Sequence, residues 1–494
     1  MRARMRWIGL WLVGATVGPL AAETPSLIPG HPKELTYSDL KFQLPKPEEL
    51  RVTLSNGMVV YVAEDRMLPT FDLTVTLRAG SAFDPPGKAG LASLTGEQMR
   101  DGGTQDLSPE ELDERIEFLA AQLFTSIGGT SGAAGISLLS KDIDAGLELL
   151  TGVLRYPRFD ETRLRLAKER QLQNMKRRND STAAIERSEW DFLMFGEEHF
   201  SNQYAAPGTI NAITREDLIS FHQRYIHPAN MMIAVSGDFE RAAILEKLER
   251  AFSGWPAGEP APKTFPAPAH QPKPGVYVVH KEEVNQGRVS IGHLGCLRGT
   301  PDEFALQVMN GILGASGFQS RLVSRVRSDE GLAYNTGSRF GQGVYYADEF
   351  RAWFQSKSNS CAYATKIVVD EMVRLRNETA SQADVDNTVK FYVESFPQRF
   401  QSKMTVLGTY VNDEYTGRDP KYWQSYVENL KKVTPADVQR VAQKYLHPDH
   451  LVILAVGDAE TVAKGGYDKA PDVTLEAFGA LTRLSLRNPE TMKR

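Results

Sequence analysis

The chain has 494 residues, 41% of them hydrophobic and 24% charged, with a formal net charge of -5. At about 100–200 residues per domain this length suggests two to four compact units, with apolar residues enough to bury real cores. Near-neutrality leaves no global field to attract nucleic acid or an anionic membrane, and the composition excludes collagen-like, mostly disordered and disulfide-scaffold chains.

Arg2, Arg4 and Arg6 precede an apolar run from Trp7 to Leu20, which ends at Ala21-Ala22 before the first acid, Glu23. This pattern predicts a secretory signal peptide over residues 1–22 and hence export, to the periplasm. The run is short of the ~20 residues a stable membrane-spanning helix needs, so no membrane span is expected. A mitochondrial presequence would also be Arg-rich, but it would be amphipathic, whereas Ile8 to Val17 is apolar nearly all round. No Cys follows the cleavage region to take a lipid anchor.

The mature chain begins with strand signals. Val52-Thr53-Leu54 and Met58 to Val62 flank Ser55-Asn56-Gly57, a hairpin turn because Asn-Gly accepts positive φ. Phe71, Leu73, Val75 and Leu77 alternate as a half-buried strand should. Ser108-Pro109-Glu110-Glu111 is a capping box, and Leu112, Ile116, Leu119 and Leu123 set an apolar stripe behind it. The glycine-rich run 128–135 lacks a following Lys-[Ser/Thr] and reads as a turn between helix and strand, not a phosphate loop. Lys176-Arg177-Arg178 reads as a solvated helix face.

The most informative feature is an internal repeat. TREDLISFHQRYIHPANMMIAVSGD at 214–238 aligns without a gap on TPADVQRVAQKYLHPDHLVILAVGD at 434–458, an offset of 220. Each copy predicts a Thr-x-x-Asp-capped helix, a His-Pro turn, then a strand ending at Gly-Asp. His227 and His447 recur in both copies, which marks a fold position rather than a site. Between the copies, residues 256–274 carry seven prolines and read as a stiff, extended linker, the place where a hinge is expected. Two tandem homologous domains follow, 45–255 and 275–460, with a tail over 461–494. Each is predicted as an α+β domain, a mainly antiparallel sheet packed with helices. Cys296 and Cys361 form no C-x-x-C pair and read as packing residues, with a bridge between them left open.

The segments LSNGMVVYVAED, LRAGSAFDPPGKAGLASLT, YPRF, PGTINAITREDL, YIHPANMMIAVSGD and SRLVSRVRSDEGLAY occur in this order. Together they make the chain resemble the pitrilysin/insulinase family of zinc peptidases, over about residues 48–460. The resemblance implies that the two domains form half of a clamshell around a peptide chamber. In that family an H-x-x-E-H helix follows the segment matched here by Gly87-Lys88-Ala89-Gly90-Leu91-Ala92. Its two imidazoles and a distant Glu bind Zn²⁺, and the intervening Glu accepts a proton from metal-bound water. Here Ser93 stands at the first His, Gly96 at the catalytic Glu and Glu97 at the second His, while the third ligand falls near Gln173. A lone Glu97 cannot hold catalytic zinc, so no metal and no independent hydrolysis are expected of this chain.

In the second domain the stretch Arg327 to Tyr334 matches the family's motif without departure. The resemblance implies substrate contacts from the loop at Gly314, Ser316 and Gly317. It further implies that Arg327 and Tyr334, within RSDEGLAY, hold the substrate carbonyl as an oxyanion hole does, a fixed cation and a phenol aimed where charge develops. Some family members are two-chain enzymes with zinc on one chain and the Arg/Tyr pair on the other. The chain resembles the second kind: an exported, metal-free subunit whose homologous H-x-x-E-H partner carries the Zn, acting on short or unfolded peptides. The alternatives are a proteolytically inactive scaffold or peptide-binding homologue, and a peptidase with an unrecognised site.

Overall fold

The computed structural model describes His31, Leu35 and residues 42–494; the expected signal peptide lies outside the described residues. The first sheet holds β1 (Arg51–Thr53), β2 (Val59–Glu64), β3 (Thr70–Leu77), β4 (Gln122–Ile127), β5 (Gly132–Leu139) and β6 (Met231–Gly237) in the order β1-β2-β6-β3-β5-β4. Only β2 and β6 run parallel; the remaining pairs are antiparallel. Gly57, at φ +86°, turns β1 into β2 as the Asn-Gly signal requires. On β3 the expected alternation holds, with Phe71, Leu73, Val75 and Leu77 all buried. Gly128 to Ser131 turn β4 into β5, so the glycine-rich run joins two strands rather than a helix and a strand.

The second sheet contains β7 (Gly275–His280), β8 (Gln286–Leu294), β10 (Ala333–Phe340), β12 (Glu349–Lys357), β13 (Val452–Gly457) and β14 (Leu481–Leu484). Beside it, β9 (Cys296–Leu297) and β11 (Gln342–Gly343) form a two-residue parallel ladder. The order β10-β12-β8-β13-β7-β14 repeats the first sheet through five strands. The sixth differs: β1 enters antiparallel from the amino-terminal side, whereas β14 comes from the carboxy-terminal tail and lies parallel to β7. The repeated segments fold as read, each a helix (Arg215–Tyr225, Pro435–Tyr445) with a Thr/Asp capping box and a following strand. Cys296 and Cys361 are free thiols, and burial pushes Cys361 up to about 12.

The two halves exchange helices. Helix Thr182–Phe195, capped by Ser181, leaves the first half and packs on β8 and β13 of the second sheet. Its Ile185, Trp190 and Met194 share a core with Val279, Leu454 and Val456. Helix Lys403–Thr416, capped by Ser402, makes the reciprocal crossing onto β2 and β6. There Arg51 grips Glu414 through two hydrogen bonds of 2.8 Å each, Tyr61 donates to the same carboxylate, and Arg78 lies 4.0 Å over the Tyr415 ring.

The tail straps the first exchange. Arg487 bonds Glu189 at 3.2 Å and Glu197 at 2.9 Å, and Arg494 adds a second bond to Glu189. The proline segment contains no helix or strand, as expected, yet it does not float: Ala261 N–H donates to Asn230, and Phe265 packs on Phe83, Phe200 and Tyr345. These contacts seat the segment against residues of both halves.

Candidate functional site

Two regions bear on function, one in each half. In the first, helix Leu91–Asp101 starts at Gly90, and Asp84 accepts the backbone N–H groups of Gly90 (2.9 Å) and Ala92 (2.8 Å). Burial pushes the Asp84 carboxyl up to about 6 against those donors. Leu91, Leu94 and Gln98 are buried at helical spacing, as the core-packing reading expects. Ser93 is exposed. Gly96 lies hard against β4: a Cβ there would stand 2.4 Å from the Ile127 backbone nitrogen, and Thr125 donates to the Gly96 carbonyl at 2.6 Å. Glu97 is ion-paired to Arg170 of helix Glu161–Lys176, with burial raising its pKa and Arg170 lowering it. Gln173 is exposed one turn further along that helix. Among the described residues no three His, Cys, Asp or Glu side chains converge. The place where two imidazoles and two carboxylates are needed thus holds a hydroxyl, a glycine sealed by a strand, an amide and one carboxylate neutralised by a guanidinium.

In the second half, helix Glu303–Asn310 widens into a π-helical turn, Gly311–Ala315. Gly314 meets β10 as Gly96 meets β4, with an added Cβ 2.5 Å from the Ser338 backbone nitrogen. Ser316 is buried, and its N–H and hydroxyl both donate to the Gly311 carbonyl, at 3.2 and 2.8 Å. Gly314 and Ser316 therefore shape the loop from within, and of the three loop residues singled out only Gly317, at φ +64°, is exposed.

A second π-helical turn, Val323–Asp329, carries Arg327; Gly331, at φ +63°, then swings the chain into β10 at Ala333-Tyr334. The guanidinium of Arg327 sits between two rings, 4.6 Å from the centroid of Phe318 and 4.4 Å from that of Tyr334. Both rings face solvent, Phe318 being 69% and Tyr334 82% exposed. Arg321 pairs with Asp384 and Glu371, and Arg325 with Glu371. Arg327 forms no ion pair among the described residues. A cation stacked on two exposed aromatic faces keeps its donor edge open, at an estimated gain of about 0.5–1 kcal/mol per ring. Phe318 was missed as a site residue, since only the fold of the glycine loop back onto the π-turn brings it to Arg327.

Residues 212–392 match the family model described as the peptidase M16 inactive domain. Over that stretch the chain resembles the M16 peptidases. It is 24% identical over 416 residues to a non-peptidase homolog, YmxG, of Helicobacter pylori, covering 81% of this chain and 91% of that one. Its fold resembles a solved M16 inactive domain from Pseudomonas fluorescens, with a TM-score of 0.73 at 24% identity over 82% of this chain and 97% of that one. It also matches the periplasmic protease PqqL of Escherichia coli, with a TM-score of 0.68 at 16% identity, over 85% of this chain but 47% of that longer chain. The M16 fold therefore accounts for the tandem sheets. Among the described residues no helix is long and apolar enough to cross a membrane.

Proposed function

We propose that this M16 homologue is the non-zinc-binding subunit of an exported two-chain metallopeptidase, lending Arg327 and Tyr334 to a site completed by a homologous H-x-x-E-H partner. The observation that carries the reading is the contrast between an Arg327 free of carboxylates between two exposed rings and a first-half helix in which Gly96 is sealed by β4, Glu97 is paired with Arg170 and Ser93 offers only a hydroxyl. Zinc on the partner supplies a Lewis acid and an activated water. On this chain, the Arg327 guanidinium offers forked N–H donors to the carbonyl oxygen of a bound peptide. The Tyr334 hydroxyl donates to the same oxygen as negative charge builds there, and both gain strength as the closing chamber excludes water. Phe318 holds the guanidinium flat while it waits. Gly317 lines the approach, and short or unfolded peptides are the substrates that fit.

The test is co-expression with an H-x-x-E-H homologue, followed by metal analysis and peptide turnover of the purified pair. Zinc should partition to the partner, and Arg327→Ala should lower turnover by about 10²–10³ while the zinc remains. Unchanged turnover would favour the second reading, a peptide-binding scaffold, which the name of the non-peptidase relative supports. About one zinc on the isolated chain, with chelator-sensitive hydrolysis, would overturn both.

A further inference from the structure

A second cluster of arginines stands apart from Arg327. A cavity of about 620 Å³ opens in the first half, bounded by the Tyr156-Pro157 turn, helix Arg215–Tyr225 and the start of the proline segment. Arg155, Arg158 and Arg215 line it, and no Asp or Glu does. Each guanidinium is locked by main-chain carbonyls. Arg155 donates to Ser253 (3.1 Å) and Gly254 (2.6 Å), Arg158 to Thr104 (2.8 Å) and Gln105 (3.2 Å), and Arg215 to Phe159 (2.9 Å) and Arg158 (2.8 Å).

Carbonyls orient a guanidinium but do not cancel its charge. Among the described residues none of the three forms an ion pair, and Nε of Arg155 and Nη1 of Arg158 and Arg215 have no acceptor. Glu111, which feels the charge of Arg158, is already spent capping its own helix at Ser108. His227 lines the same cavity, is 6% exposed, and its buried Nδ1 has no partner. Three like charges on one partly solvated wall repel one another, and an anion joining them relieves that repulsion. The fold does not demand the cluster: at the 220-residue offset Arg215 is matched by Pro435 and His222 by Ala442.

We propose that this cavity binds a small multivalent oxyanion of the phosphate class, held by the open N–H edges of Arg155, Arg158 and Arg215. Pre-oriented guanidinium forks match phosphate geometry, and their rigidity removes the ordering cost a flexible lysine would meet. The bound anion would join the Tyr156-Pro157 turn, the duplicated helix and the head of the interdomain segment. The inference stands independently of the Arg327 site.

The probe is inorganic pyrophosphate, titrated calorimetrically into the full mature chain at constant ionic strength. One saturable site per chain is expected, weakened about tenfold in Arg158→Gln and again in Arg215→Gln, as loss of a charge-assisted bond implies. Arg158→Lys, which keeps the charge but loses the fork, should also weaken binding, and it serves where a glutamine variant fails to fold. Arg165→Gln, an exposed arginine paired with Glu169, should bind as the parent does. Absence of saturable binding, or equal weakening by Arg165→Gln, would overturn the proposal and leave the three arginines as loop ties.

Discussion

Helices Leu91–Asp101 and Glu303–Asn310 occupy matching places in the two halves, and both chain segments press a glycine against an edge strand, Gly96 on β4 and Gly314 on β10. From that common device they diverge. The first segment stays a regular helix, with Glu97 paired to Arg170 and Gln98 buried while Ser93 faces solvent. The second loosens into two π-helical turns that lift Arg327 and Tyr334 to the surface. Wide turns of this kind leave main-chain groups less well paired, a cost tolerated where a side chain must be aimed. The comparison teaches that one glycine-on-strand contact can precede either a regular helix or a turn that leaves an arginine and a tyrosine accessible.

The largest expected effect tests the interlock that both halves share. Glu189 is 1% exposed and is balanced by Arg487, itself 5% exposed, with Arg494 beside it. Arg487→Ala combined with Arg494→Ala strands a buried carboxylate, and about 3–5 kcal/mol of unfolding free energy should disappear in urea titration. A loss no greater than an exposed pair would give shows that the tail is not a strap. Next comes the functional side of the comparison. In the complex with a zinc-bearing partner, Arg327→Ala or Tyr334→Phe should lower kcat by about 10²–10³, near 2.7–4 kcal/mol. Glu97→Gln in the first half should leave kcat alone, and a comparable drop there would place chemistry in the half read as packing.

The exchanged helix also carries a pH signature. Trp190 donates to Glu349, whose carboxyl burial pushes up to about 7 from 4.5, with Arg351 opposing. A carboxyl that ionises less readily when folded favours the folded state while protonated. Its contribution is therefore full below about pH 4.5 and fades as pH rises through about 7. At 1.4 kcal/mol per pKa unit the swing is on the order of 3 kcal/mol. Glu349→Gln should flatten the stability profile across that window, and an unchanged slope would assign it to other groups, Asp191 first among them.

Gly96→Ala and Gly314→Ala sharpen the shared device. Each should cost about 1–3 kcal/mol through collision with an edge strand, although alanine is the better helix former by ~1 kcal/mol. Gly96→Glu, even combined with Ser93→His, Glu97→His and Gln173→Glu, should fail to gain zinc in metal analysis because β4 fills the space. Zinc uptake by that variant would show the strand able to retreat.

How much of this was legible in the sequence depends on the range of the signal. Local chemistry read well: Asn56-Gly57, the boxes at Ser108, Thr214 and Thr434, and the β3 alternation each depend on neighbours a few residues away. The duplication announced two sheets. The helix exchange was not visible, because Ser181 and Ser402 cap helices whose amphipathic pattern says that a face is buried but not in which half. Gly314 and Ser316 came from the resemblance as substrate contacts, and only coordinates show them facing inward. The meeting of Phe318 with Arg327, and of Arg155 with Arg215, are likewise products of tertiary closure.

The smallest effect asks whether duplicated sequence means duplicated energetics. Thr214 and Thr434 each accept the N–H of the Asp three residues on, both at 3.2 Å, and each Asp side chain returns a bond to the Thr N–H. Replacing either Thr by Ala should cost about 1 kcal/mol. The surroundings differ, however. Asp217 is also held by Lys88 at 2.7 Å, while Asp437 is held by Arg440 at 3.3 Å from within its own helix. Lys88 belongs to the segment leading into helix Leu91–Asp101, and Arg440 also reaches Asp302, at the start of helix Glu303–Asn310, at 2.6 Å, so each cap couples to the matching helix of its own half. Thr214→Ala should therefore cost about as much as Thr434→Ala, and Lys88→Met and Arg440→Met should each weaken the cap of their own half by a few tenths of a kcal/mol. Unchanged costs on Lys88→Met and Arg440→Met would show that the capping box acts locally in both halves.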